Sequence, residues 1–134
     1  MVRREKPMFE PEKTALASDV YDCLTTDETA MLLDCRAHSE WEADGVPDLS
    51  AIGKSPVLIE LVRSDGSLNQ QFLSEAAEKL ALDAPLFVIC KSGVRSNKAC
   101  EFLRKSGFEI VCNVTGGWET TPDGWKTAGL PWSI

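Results

Sequence analysis

Four stretches of this chain are apolar almost throughout, and that pattern narrows the fold more than anything else in it. They cover residues 30–35, 56–62, 86–89 and 109–114, the second built on Val57-Leu58-Ile59 and the third reading Leu-Phe-Val-Ile. A strand with one wet face alternates apolar and polar residues, whereas a strand covered on both faces has no need to. Between these runs lie segments of helical character. Residues 15–24 place Ala17, Val20, Tyr21 and Leu24 at helical spacing, and 39–43 suit a short helical turn closed by Gly45 and Pro47. Ser64-Asp65-Gly66 predicts a turn, and Ser67-Leu68-Asn69-Gln70 resembles a capping box. That box opens a helix with Phe72, Ala76 and Leu80 on one stripe and Leu73 and Ala77 beside it. Residues 94–106 predict a helix with Val94, Ala99, Phe102 and Leu103 inward and Gly107 at its end. Doubly covered strands alternating with amphipathic helices imply a three-layer α/β/α architecture around a mainly parallel sheet of about five strands. Ligands of such sheets bind beyond the carboxyl ends of the strands.

Charge and cysteine usage narrow the function. The 134 residues carry a net charge of −7, which argues against nucleic acid or an anionic membrane surface as the main partner. No apolar run approaches the length of a membrane span. Residues 1–13 read as a polar arm without the apolar core of a signal peptide, leaving 14–134 as one domain with a packed Gly/Pro/Trp-rich tail from 118 to 134. The five cysteines (Cys23, Cys35, Cys90, Cys100 and Cys112) are odd in number and lack Cys-x-x-Cys spacing. Free thiols in a reducing compartment, the cytoplasm, are expected, with no metal site.

The chemistry concentrates where the third apolar run ends. Residues 90–96 read Cys-Lys-Ser-Gly-Val-Arg-Ser, a cysteine followed by a short loop and a helix start. The positive end of a helix dipole and its unpaired amides stabilise a thiolate, and such surroundings lower a thiol pKa from about 8.5 to roughly 3.5–7.5. Gly93 allows the backbone to curl so that successive N–H groups converge. Lys91 and Arg95 add positive charge on an acidic background, which suits a small anionic substrate. Cys90 is therefore the candidate nucleophile. Arg95 could instead pair with a neighbouring carboxylate, and Lys91 could be a solvated loop charge. The topology brings Asp34, Cys35 and Arg36 to the same rim. Asp34 and Arg36 read as structural supports, and Cys35 as a packed core thiol or a resolving thiol. Cys23, Cys100 and Cys112 read as core, Trp118, Trp125 and Trp132 as tail packing, and His38 as a surface residue.

Four segments together resemble the rhodanese-like family, of the single-domain bacterial kind: Leu32-Leu33-Asp34-Cys35-Arg36, then Ser39-Glu40-Trp41, then the loop 90–96, then Asn113-Val114-Thr115-Gly116-Gly117-Trp118. The resemblance runs from about 16 to 120. It implies sulfane-sulfur transfer: Cys90 takes the outer sulfur of thiosulfate or a similar donor, and a thiol or cyanide acceptor, or a protein sulfur acceptor, removes it. By the same resemblance the loop backbone through Lys91, Ser92, Gly93, Val94, Arg95 and Ser96 holds the persulfide anion, Lys91 and Arg95 orient the donor, and no cofactor is needed. Asp44-Gly45-Val46-Pro47 departs from the family by lacking a histidine after the glycine. Two other readings remain: a sulfur-carrier or partner-binding module with little small-molecule turnover, and an oxyanion enzyme such as a phosphatase or arsenate reductase. Only four residues separate Cys90 from Arg95, one fewer than the oxyanion enzymes of related folds use, and the smaller loop suits a single sulfur atom.

Overall fold

A computed structural model describes residues 14–134; the expected arm over 1–13 lies outside the described residues. The elements in chain order are β1 (Thr14–Leu16), α1 (Ala17–Thr26), β2 (Met31–Asp34), α2 (His38–Asp44), β3 (Val46–Pro47), a 3-10 turn (Ser50–Ile52), β4 (Val57–Leu58), α3 (Phe72–Lys79), β5 (Leu86–Ile89), α4 (Val94–Lys105), β6 (Val111–Thr115) and β7 (Trp132–Ser133). Strands β1-β6-β5-β2-β4 form one sheet in which every pairing is parallel.

Side-chain alternation along the central strands feeds two separate cores. Leu33 and Cys35 from β2 and its end, with Leu86, Val88 and Cys90 from β5 and its end, join Phe72 and Ala76 of α3 and Ala99, Cys100 and Leu103 of α4. Leu32, Phe87, Ile89, Cys112 and Val114 point the other way, onto Val20 and Leu24 of α1 and onto Trp118 and Trp125 of the tail. This is the three-layer arrangement that the apolar runs predict. Each fully buried Leu, Ile, Val or Phe contributes about 1.5–3 kcal/mol, so the two cores carry the fold without disulfides; none of the five cysteines is joined in one.

Several local expectations change. Strand β1 was not legible in a segment read as helix from residue 15, because three residues alternating exposed, buried and exposed leave little pattern. The run 56–62 narrows to a two-residue ladder at β4, and Ile59 and Leu61 continue it only through single amide bonds to Asp34 and Cys35 carbonyls. The run 109–114 becomes Val111–Thr115, with Glu109 exposed. Ser67 caps no helix: its hydroxyl and amide are taken by Asp65 in the preceding turn, and α3 starts at Phe72 without a side-chain cap. Buried Asn69 organises this entry instead, receiving the Gln71 amide and donating to the Glu60 carbonyl. Val94, expected inward, is 75% exposed, because it lies on the solvent side of the first turn of α4, whose inner side is taken by the fully buried Ser96. The tail packs back as expected: Trp125 is fully buried with its indole N–H on the Pro131 carbonyl at 2.7 Å, and β7 pairs antiparallel with β3.

Candidate active site

Strand β5 delivers Cys90 to the carboxyl rim, and α4 begins four residues later. The sulfur of Cys90 accepts the amide of Gly93 at 3.0 Å and the amide of Ser96 at 3.3 Å, and the Ser96 hydroxyl lies 3.2 Å away. Gly93 holds φ at +100°, a conformation that L side chains rarely adopt and that turns its N–H back onto the sulfur. On the neighbouring strand, Cys35 follows Asp34, the register partner of Ile89, and its thiol lies beside Cys90 in the same core, where it favours the Cys90 anion. These contacts (Cys35 the largest contribution, then the Ser96 hydroxyl and the two amides) overcome burial and bring the Cys90 pKa down to about 5. The anion is therefore the form present at neutral pH. The same contact, together with burial, pushes the Cys35 thiol well above its ordinary value.

The loop is clamped from behind by the segment that follows β6. Gly117 packs so closely that a Cβ there would stand 2.2 Å from the Lys91 carbonyl oxygen and 2.7 Å from that of Cys90. The Lys91 carbonyl accepts the Trp118 amide at 3.0 Å and the Thr120 hydroxyl at 2.7 Å. Asn113, on β6, donates its side-chain N–H to the Gly93 carbonyl at 3.1 Å. Its oxygen accepts the Ser96 hydroxyl at 2.5 Å. That hydroxyl has one proton and two acceptors, Asn113 and Cys90, so the two amides are the donors committed to the sulfur. The loop motif alone does not point to Asn113. The available signal was a lone amide side chain inside an apolar strand.

The remaining rim residues separate into supports and exposed charges. Asp34 and Arg36 are both fully buried and bound to each other, Arg36 Nε reaching Asp34 Oδ1 at 3.0 Å and Nη2 reaching Oδ2 at 2.7 Å. Arg36 Nη2 also donates to the Gly45 carbonyl, and the guanidinium lies 4.2 Å from the ring centre of Trp118. The pair thus ties β2 to the α2 terminus and to the Gly-Gly-Trp segment. Arg95 meets a carboxylate, the alternative that the sequence left open beside donor binding. Both of its terminal nitrogens are held by the Glu40 carboxylate, at 2.5 and 2.9 Å, and Glu40 also receives the Ala37 amide. Arg95 accordingly pins α2 against α4, while Lys91 and Ser92 stand exposed at the loop surface. His38 is exposed and pairs with Glu42. Cys23 is half-buried, and Cys100 and Cys112 are buried in the two cores, where burial raises their thiols to about 12 and about 11. Among the described residues no group of His, Cys, Asp and Glu is placed to hold a metal ion, and no helix is long and apolar enough to cross a membrane.

A family model described as the STR4 middle domain matches residues 13–134. The crystal structure of Rv0390 from M. tuberculosis superposes with a TM-score of 0.85 at 32% identity, covering 90% of this chain and 96% of that one. The Arabidopsis thaliana protein named rhodanese-like domain-containing protein 4, chloroplastic, is 29% identical over 118 residues, 87% of this chain and 24% of its own length. This chain belongs to the rhodanese-like family. An uncharacterized protein of Rickettsia prowazekii is 31% identical over 120 residues, 88% of this chain and 94% of its own. The rhodanese-like domain accounts for the order of the four sequence motifs: Asp34-Cys35-Arg36 and Gly116-Gly117-Trp118 are separate pieces of the support around one loop.

Proposed function

We propose that this protein is a sulfurtransferase that moves a sulfane sulfur through a persulfide on Cys90. The observation that carries the reading is the pair of backbone amides converging on the Cys90 sulfur at the start of α4. The Cys90 thiolate attacks the outer sulfur of thiosulfate, a Cys90–sulfur bond forms, and the donor's S–S bond breaks with its electron pair leaving on sulfite. The terminal sulfur of the persulfide then bears the negative charge, and the amide-lined turn from Lys91 to Ser96 offers donors to it. Cyanide, or a thiolate, attacks that terminal sulfur and leaves as thiocyanate or a new persulfide, returning Cys90 as thiolate. The chain supplies every group used in these steps.

Cys90 has no exposed surface. Donor entry therefore requires outward displacement of the loop beginning at Lys91 and Ser92, and it favours small donors and acceptors. An oxyanion enzyme is disfavoured, because Arg95 is committed to Glu40 and the loop is one residue shorter. Five cysteines outside any disulfide support work in a reducing compartment, the cytoplasm.

Incubation with thiosulfate alone, followed by removal of donor, tests the reading. One equivalent of sulfite is released and the acquired sulfur maps to the Cys90 peptide; added cyanide then yields thiocyanate. Cys90→Ser releases neither product. Sulfite release that persists in Cys90→Ser would place the chemistry elsewhere.

A further inference from the structure

The neighbour of Cys90 on the adjacent strand is a second thiol. Strands β2 and β5 are parallel with Asp34 opposite Ile89, so the next pair in register is Cys35 and Cys90. The Cys35 amide bonds the Ile89 carbonyl at 3.0 Å, which extends the ladder to this point. Adjacent strands lie about 4.7–4.9 Å apart, within the roughly 4.4–6.8 Å between Cα atoms that a disulfide spans. Both side chains enter the same core, on the α3/α4 side. Cys35 is also rigidly placed, because Asp34 and Arg36 on either side of it are locked together. Cys100 shares this core but rides on α4 and not on the strand beside Cys90.

We infer that Cys35 is a resolving thiol that discharges the Cys90 persulfide as sulfide and closes the site as a Cys35–Cys90 disulfide. The inference rests on the Cys90 persulfide proposed above. The Cys35 sulfur attacks the inner, Cys90 sulfur. A Cys35–Cys90 bond forms, the bond between Cys90 and the transferred sulfur breaks, and its electron pair leaves on that sulfur. The Cys35 proton goes with it, so the product is hydrosulfide. Both cysteines are oxidised by one electron each and the sulfane sulfur is reduced by two, so a single turnover needs no outside reductant. A dithiol reductant resets the pair, and the sum is conversion of a sulfane donor and a dithiol to sulfite, sulfide and a disulfide.

Access decides between this route and transfer. Both thiols have no exposed surface, so an external acceptor must displace the loop while Cys35 is already in contact. A proton held on Cys35 by the neighbouring Cys90 and by burial makes it a slow nucleophile, which leaves time for an external acceptor to intercept the sulfur. Once charge moves outward to the terminal sulfur, the anion facing Cys35 is gone and the thiol is released to react. The acceptor supply thus sets the branch: transfer when acceptor is abundant, sulfide release and self-closure when it is scarce.

The test loads the reduced full chain with one equivalent of thiosulfate in the absence of acceptor and reductant. Sulfite and sulfide are measured alongside intact mass and a non-reducing peptide map. The expected result is sulfite first, then a matching amount of sulfide, loss of two hydrogens from the chain mass, and a peptide cross-linked through Cys35 and Cys90. In Cys35→Ser and in Cys35→Ala, whatever the rate at which sulfite appears, each sulfite leaves its sulfur on Cys90 and no sulfide or cross-link follows; the wild-type readings stand without either. Sulfite release with a lasting sulfur adduct on the wild type overturns this inference and leaves the sulfurtransferase reading intact. No sulfite release from the wild type overturns both.

Discussion

A thiol without solvent contact takes its ionisation from its hydrogen-bond donors, and at Cys90 these are few enough to remove one at a time. Its pKa of about 5 lies below the ordinary thiol value, so the reactive fraction is expected to rise as pH rises through about 5 and then to stay level past neutrality. The rate of alkylation by iodoacetamide against pH checks this, with a midpoint near 9 refuting it. Cys35→Ala removes the largest stabilising contact of the anion and moves the midpoint upward; Ser96→Ala moves it upward by less, because its hydroxyl proton is already shared with Asn113. The sign for stability follows the same shift. The native thiol ionises at lower pH than the unfolded one, so the stabilisation tied to Cys90 is complete above the unfolded value and is lost as pH falls through about 5. Of this arrangement, Cys90, Gly93 and Ser96 were legible because a cysteine, a glycine and a helix start within seven residues have a local physical meaning. That Arg95 pairs with a carboxylate was legible as an alternative, but not that the carboxylate is Glu40, since no local rule says which one a guanidinium reaches across 55 positions. Asn113 was not legible, because its role depends on strand β6 passing behind the loop.

At the scale of elements, the loop keeps its shape because the segment that follows β6 approaches its backbone without a side chain between. Gly117 is the closest approach, with φ at +57° and its missing Cβ directed at the Lys91 and Cys90 carbonyls. Gly117→Ala forces the loop or the β6 end to shift, at a cost of about 1–3 kcal/mol by the usual range for overpacking. Thermal unfolding is expected to show that loss, and the iodoacetamide midpoint is expected to rise as the Gly93 and Ser96 amides move off the sulfur. Unchanged stability together with an unchanged midpoint would mean that the Gly-Gly-Trp segment does not hold the loop. The sheet itself was readable in its middle strands, where burial on both faces gives an unbroken apolar run. It was unreadable at one edge, where β1 contributes three residues; at the other edge β4 was read as a strand, but longer than its two residues, and β3 and β7 form a ladder only because the tail returns to the α2 end. Short edge strands obtain their order from the neighbour they pair with, so their own residues need not announce it.

For the whole molecule, net charge and local charge oppose each other when a doubly charged donor approaches. The chain carries −7 overall, and the loop offers little to counter it. Arg95 is neutralised by Glu40, Lys98 pairs with Glu101, and Lys126 faces Glu119. Lys91 remains as an exposed cation at the loop. Charges beyond a Debye length, about 8 Å at physiological ionic strength, act only when salt is low. At low salt the anionic donor therefore feels the whole acidic surface, and at higher salt it feels chiefly Lys91. The expected outcome is that kcat/KM for thiosulfate rises as ionic strength is raised from low to physiological, while transfer to a neutral thiol acceptor changes little. Lys91→Ala lowers kcat/KM for thiosulfate at physiological salt, with kcat less affected because Lys91 makes no contact with the Cys90 sulfur. Rates measured in an inert salt series separate the two effects. A fall of kcat/KM with salt would show that the loop's own positive field, Arg95 included, outweighs the acidic surface, and that Glu40 releases Arg95 when donor arrives.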